Sequence, residues 1–148
     1  MAVVSDAAFT CGVIGRIVVV NWQTDITLPG MRRAFECILD ARREVGAPLV
    51  NISVIPTEAK GPAPAYGAAT ERHFRIVDHL CEAIYIVHAG HSVTHKLWRG
   101  VTSIATLVLR MEIETCSSVE EAFALAGRRV GGNPTALLAE AQARHLIG

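Results

Sequence analysis

Cys11 to Trp22 reads CGVIGRIVVVNW. Ile17-Val18-Val19-Val20 is a dense β-branched run, the composition of a strand with little room for water on either face. A shorter apolar stretch, Cys11 to Ile14, precedes it, and Gly15-Arg16 separates the two. Two strand signals around a two-residue glycine-containing break predict an N-terminal hairpin. The next thirty residues decide the fold class. Pro29-Gly30 opens a stretch in which Met31, Ala34, Phe35, Ile38, Leu39 and Val45 recur at helical spacing. Gly46 stops that helix, and Pro48 comes two residues later. A strand, a helix and another apolar run (Leu49 to Ile55, LVNISVI) make a strand–helix–strand unit, which calls for parallel pairing.

The alternation continues outward. A loop rich in Pro, Gly and Ala covers Pro56 to Gly67, and a helix is predicted from about Ala68 to Leu80. Glu82 to His88 (EAIYIVH) is the next core strand. A third helix is expected near Ser92 to Val108, and Leu109 to Thr115 (LRMEIET) alternates as the last strand. Ser117 and Ser118, each with a glutamate three residues on, offer two registers of a capping box for a helix Val119 to Ala126. A basic, glycine-rich linker is expected after Gly127. Asn133-Pro134 then starts a final helix reaching about Ile147. The expected order is β-β-α-β-α-β-α-β-α-α: one α/β domain over 1–148, with a mostly parallel sheet of about five strands and helices against it.

Composition narrows the class. Apolar residues are 51% of the 148, charged residues 19%, and 14 basic residues balance 14 acidic ones. Such a chain folds rather than stays disordered. Nothing supplies the basic excess that drives phosphate binding, so no nucleic acid is expected. A chain without net charge repels its own copies weakly, which favours self-association. Met1 to Phe9 lacks the basic start of a signal peptide, and no apolar run is long enough to span a bilayer. Cys11, Cys37, Cys81 and Cys116 are spread out with no Cys-x-x-Cys pair, and read as reduced thiols of a cytoplasmic protein.

The pattern resembles the STAS-like family, the fold of anti-sigma-factor antagonists, over about residues 9–126. The resemblance is carried by the hairpin ending IVVVNW, the helix start Thr27-Leu28-Pro29-Gly30, the strands LVNISVIP and EAIYIVH, and the ending ETCSSVEEAFALA. It implies a regulatory or scaffolding protein that binds other proteins. Phosphorylated members carry an Asp-Ser-Ser/Thr-Gly-like turn after the strand equivalent to LVNISVI. Here the chain runs Pro56-Thr57-Glu58-Ala59-Lys60-Gly61-Pro62, so no phosphosite is carried over.

Two regions could carry chemistry. His88, His91 and His95 form His-x2-His-x3-His, a spacing that can converge on a metal where a strand turns into a helix. Cys81 cannot join them, since seven extended residues place it about 23 Å from His88. Cys116 is better placed, because parallel neighbours end at one edge. That carboxyl edge is where open α/β sheets bind ligands, and it collects Asn21, Thr57, Glu58, His88, His91 and Cys116. No Gly-x-Ser-x-Gly, phosphate-binding glycine loop or dinucleotide fingerprint occurs, so neither a nucleophile elbow nor a cofactor is indicated.

An interface is expected elsewhere. In the third helix Val93, Leu97, Val101, Ile104 and Val108 fall within an arc of about 80°, and Trp98 lies about 60° beyond its edge, beside His95 and Thr102. A tryptophan only partly covered by its own chain suits a contact with a partner or a second copy. The pairs Arg32-Arg33, Arg42-Arg43 and Arg128-Arg129 read as solvated surface. Arg42 is the exception: it shares a side with Phe35 and Ile38, where it must snorkel or meet a partner.

Overall fold

The computed structural model describes residues 2–59, 72, 75–88 and 111–148. Six strands form one sheet: β1 (Val4–Ser5), β2 (Phe9–Ile14), β3 (Ile17–Trp22), β4 (Leu49–Val54), β5 (Cys81–Val87) and β6 (Glu112–Cys116). They lie in chain order across the sheet. β1–β2 and β2–β3 are antiparallel, while β3–β4, β4–β5 and β5–β6 are parallel. The sheet is therefore mixed and mostly parallel. It has one strand more than the five expected, because Val4–Ser5 pairs with Cys11 and Thr10 outside the hairpin. A two-residue edge strand leaves little periodicity to read. Gly15 makes the β2–β3 hairpin possible. It alone of the two loop residues has positive φ (59°), the pattern of a type II′ turn, whose twist suits the flanking strands.

The helix α1 (Leu28–Val45) begins at Thr27, whose hydroxyl accepts from the Gly30 N–H at 3.2 Å, with Pro29 in the first turn. It ends where Gly46 enters the left-handed region and donates to the Arg42 carbonyl. α1 buries Met31, Ala34, Ile38 and Ala41 against one face of the sheet, formed by Val18, Val20, Trp22, Leu49, Ile84, Ile86 and Ile113. Val77, from helical residues 75–77, joins that cluster. Phe9 and Trp22 pack with ring centroids 5.3 Å apart at 60°, closing its outer end.

The opposite face carries Ile17, Val19, Val50, Ile52, Ala83, Tyr85 and Val87. It is covered by α2 (Val119–Val130) and α3 (Pro134–Ala143). Because β3, β4 and β5 are buried on both sides, they read as largely apolar runs rather than alternating ones. Among the described residues no helix is long and apolar enough to cross a membrane.

Two expectations are corrected at this end of the chain: α3 ends at Ala143 rather than near Ile147, and α2 runs longer than expected. α2 does not stop near Ala126 but continues through Gly127, Arg128 and Arg129 to Val130, capped by Gly131 at φ 72°. Gly127 sits inside the helix because an added Cβ would lie 3.1 Å from the Gly132 carbonyl and from Pro134 Cγ, where α3 crosses. Of the two capping registers, Ser118 is the N-cap and its hydroxyl accepts from the Glu121 N–H at 3.1 Å. The Glu121 carboxylate reaches one residue further back than a standard box, accepting from the Ser117 N–H and hydroxyl. The third helix near 92–108 lies outside the described residues, as do 109 and 110 at the start of the expected last strand.

Candidate functional site

The carboxyl ends of β4, β5 and β6 form a stepped edge. β4 pairs one residue past its end, the Ile55 N–H donating to the Val87 carbonyl at 2.9 Å. The chain then turns over 56–59, with the Ala59 N–H donating to the Pro56 carbonyl and Ala59 buried. That turn holds Thr57 and Glu58 at its exposed tip. On the next step, the His88 N–H donates to the Cys116 carbonyl at 3.1 Å, and both residues are fully buried. His88 and Cys116 are thus brought together through the backbone. Their side chains part: Cys116 packs in the α2 cluster, while alternation along β5 carries His88 toward the α1 side.

The Cys116 thiol is pushed up to about 12, by burial first and then by the charges of Glu121, Glu114 and Glu112. A thiol so far above neutrality is not a ready nucleophile. Ser117, Ser118 and Glu121 at the α2 N-terminus are engaged with one another, so the helix supplies its own carboxylate to its first turn. Asn21 is turned to a structural task, its Nδ2 donating to the Leu146 carbonyl at 3.0 Å. His91, His95, Trp98 and Thr102 lie outside the described residues. Among the described residues no group of three or more His, Cys, Asp or Glu side chains is placed to hold a metal.

A polar ladder on the α1 face leads up to this edge and was not singled out from sequence. Asn51, on the central strand and 2% exposed, donates from Nδ2 to the Val18 carbonyl at 3.1 Å. Its Oδ1 accepts from the Ser53 hydroxyl at 2.9 Å. Asn51 and Ser53 point the same way because they are two residues apart. The available signal was two polar residues at that spacing inside LVNISVI. Burial of an amide is tolerated here because both of its ends are bonded.

Comparison of the chain with protein-family models, curated proteins and solved structures finds no match.

The amino edge of the parallel strands, by contrast, is a clamp. Arg16, from the hairpin turn, bonds Glu82 at 2.5 Å, the Pro48 carbonyl at 3.1 Å and the Arg129 carbonyl at 2.8 Å. Arg129 Nε donates to the Tyr85 hydroxyl at 2.9 Å and to Glu112 at 3.0 Å, and its Nη2 also bonds Glu112. Tyr85 donates to Glu112 at 3.0 Å. Arg129 is thus no free surface charge, which corrects the expectation that all but Arg42 of the paired arginines are solvated. Arg33 likewise grips both oxygens of Asp6, at 2.7 and 2.9 Å, tying α1 to the chain after β1. Neither pairing is visible in sequence, since the partners lie 17 and 27 positions away. Arg42 is half-buried, and its charge bears on the Cys81 thiol beneath α1.

The clamp predicts a pH dependence. Arg129 first, and Tyr85 after it, hold the Glu112 carboxyl below its ordinary value of 4.5. A depressed folded-state pKa contributes stability that is present above the ordinary value and lost as pH falls through the depressed one. Both side chains are about one-third exposed or more, so solvent screening limits the pair to about 1 kcal/mol or less. Urea unfolding of wild type and Glu112→Gln should differ most near neutrality and converge in acid. A gap that stays constant from pH 7 to about pH 3 would refute the assignment.

Proposed function

We propose that this chain is a STAS-like protein-binding module, regulatory or scaffolding rather than catalytic, that works in the cytoplasm and self-associates. The observation that carries the reading is the sheet itself. An antiparallel hairpin feeds four consecutive parallel strands in chain order, with a capped helix between β3 and β4. This is the arrangement expected of a STAS-like chain. The described polar groups support it from another side: those around Arg16 and Arg129 tie the protein's own layers together, and Ser118 caps its own helix. The Thr57–Glu58 turn is an exposed part of the carboxyl edge, open to a partner. The proposed self-association surface is centred on Trp98, flanked by His95 and Thr102, with Arg42 contributing from α1.

The test is Trp98→Ala, assayed by light scattering and thermal melting together. The expected result is loss of oligomer, or of a partner that rebinds when both components are pure, with the monomer still folded. Unfolding of the variant, with a wild type that is always monomeric and partnerless, would overturn the proposal.

One observation favours a second reading, a metal-dependent or small-molecule-binding protein using the carboxyl edge. His88 ends β5 fully buried, one strand away from the exposed Thr57–Glu58 turn, while the Cys116 side chain lies on the other face of the sheet. His91 and His95 would complete a metal site there. Stoichiometric zinc in protein purified without a tag, lost in His91→Ala, would establish that reading in place of the first.

A further inference from the structure

We propose that the C-terminal arm, residues 133–148, exchanges between two copies of this chain, each arm seated in the cradle of the other. The cradle is the β2–β3 face beside α2. Gly12 pairs with Val19 and Ile14 with Ile17, and Ile14, Ile17 and Val19 share one buried cluster with Ala141 and Leu146 of the arm. Leu146 fills the notch over Gly12, where an added Cβ would stand 2.7 Å from Leu146 Cδ2. Asn21 donates to the Leu146 carbonyl at 3.0 Å, and Arg144 Nη1 donates to the Val13 carbonyl.

The arm is built as a unit. Asn133 caps α3, accepting from the Ala136 N–H at 3.0 Å, and Pro134 opens the helix. At the far end the Leu146 N–H donates back to the Ala141 carbonyl at 2.9 Å. These bonds travel with the arm. Its fastenings to the rest of the chain are Gly12, Val13 and Asn21, together with Gly127, against which Pro134 packs. All of them lie before the hinge, so a second copy offers each one unchanged.

The hinge is Gly131-Gly132. Gly131 is exposed and left-handed, φ 72°, and a Cβ built on it meets nothing within 4 Å. Glycine visits other regions of backbone space about as readily, so the chain turns there at little steric cost. The exchange gives up only the backbone bonds from Gly131 and Gly132 to the Gly127 carbonyl. Every other contact of the arm is made again in the second copy, which is why exchange is a low-cost route to a dimer. A hinge this short leaves the closed chain little slack, and short hinges favour exchange.

The occupant is fixed by fit. An arm that only opened would leave Ile14 and Val19 on one side and its own Leu146 on the other to water. The surface shaped to each is the matching part of a second opened chain. Fourteen basic and 14 acidic residues leave the copies without net charge to hold them apart.

The test uses the full chain. An equal mixture of unlabelled and isotope-labelled protein is refolded from urea at a series of increasing concentrations, and monomer and dimer are separated by size with light scattering. The dimer-to-monomer ratio should rise in proportion to free monomer. Isotope-filtered NOE spectra detect only contacts between a labelled and an unlabelled chain. They should join the Gly12 α protons to the Leu146 methyls in the dimer and show no such contact in the monomer. A flexible Gly-Ser insert after Gly131 should lower the ratio several-fold. A chain that is monomeric at every concentration, or a ratio indifferent to the insert, would overturn the proposal. So would a dimer whose Gly12–Leu146 contact stays within one chain, an outcome that leaves a dimer held at Trp98 standing.

Discussion

Phe123→Ala is expected to destabilise the protein by about 3–5 kcal/mol, the usual range for emptying a phenylalanine site in a packed interior. Phe123 is fully buried in the second turn of α2, in the cluster that also holds Ile52, Ala83, Tyr85 and Cys116. Its ring is among the largest fully buried side chains of the described residues. On that face α2 offers mostly small residues, Ala122, Ala126 and Gly127. They let the helix approach the sheet but cannot refill a phenyl-sized void. Domains of this size commonly unfold with about 5–15 kcal/mol, so one substitution should remove a large fraction of the total. Urea denaturation monitored by circular dichroism is the measurement. A loss below about 1 kcal/mol would mean that α2 is not held by this face.

Leu146→Ala should cost about 2–5 kcal/mol, and removal of residues 133–148 should cost more. α3 is weakly amphipathic: Ala141 is its one fully buried residue, with Leu137 and Leu138 partly covered. The segment is secured instead by the residues just beyond the helix. His145 takes a left-handed conformation, φ 59°, so the chain folds back and Leu146 turns under the helix. The Leu146 N–H donates to the Ala141 carbonyl at 2.9 Å, and its own carbonyl accepts from Asn21. Arg144 adds a bond from Nη1 to the Val13 carbonyl. The Leu146 side chain fills the space over Gly12, where an added Cβ would stand 2.7 Å from Leu146 Cδ2. Truncation therefore removes the cover of β2 and β3 on this face and leaves Ile14 and Val19 to water. Equilibrium unfolding and hydrogen exchange over β2 test this. An unchanged melting temperature with unchanged protection would show that the C-terminal segment is a tail.

Much of the architecture is local chemistry and so was legible in the chain itself. The β-branched run Ile17 to Val20, the glycine of the β2–β3 turn, the Thr27 cap with Pro29, the Gly46 stop and the Asn133-Pro134 start each act within a few residues. Short-range signals of that kind survive folding unchanged. Alternating strands and helices then left parallel pairing as the workable arrangement for β3 to β6.

What only the tertiary structure decided depends on partners far apart in sequence. Arg129 reads as surface charge until α2 brings it over Tyr85 and Glu112. Gly127 reads as a helix stop until Pro134 crosses it. Asn21 reads as a ligand-edge residue until Leu146, 125 positions later, takes its amide. In each case the side chain's role is set by a desolvated contact, whose energy exists only once burial has removed water from both partners. No local pattern encodes that event, because the residue that completes it belongs to another element.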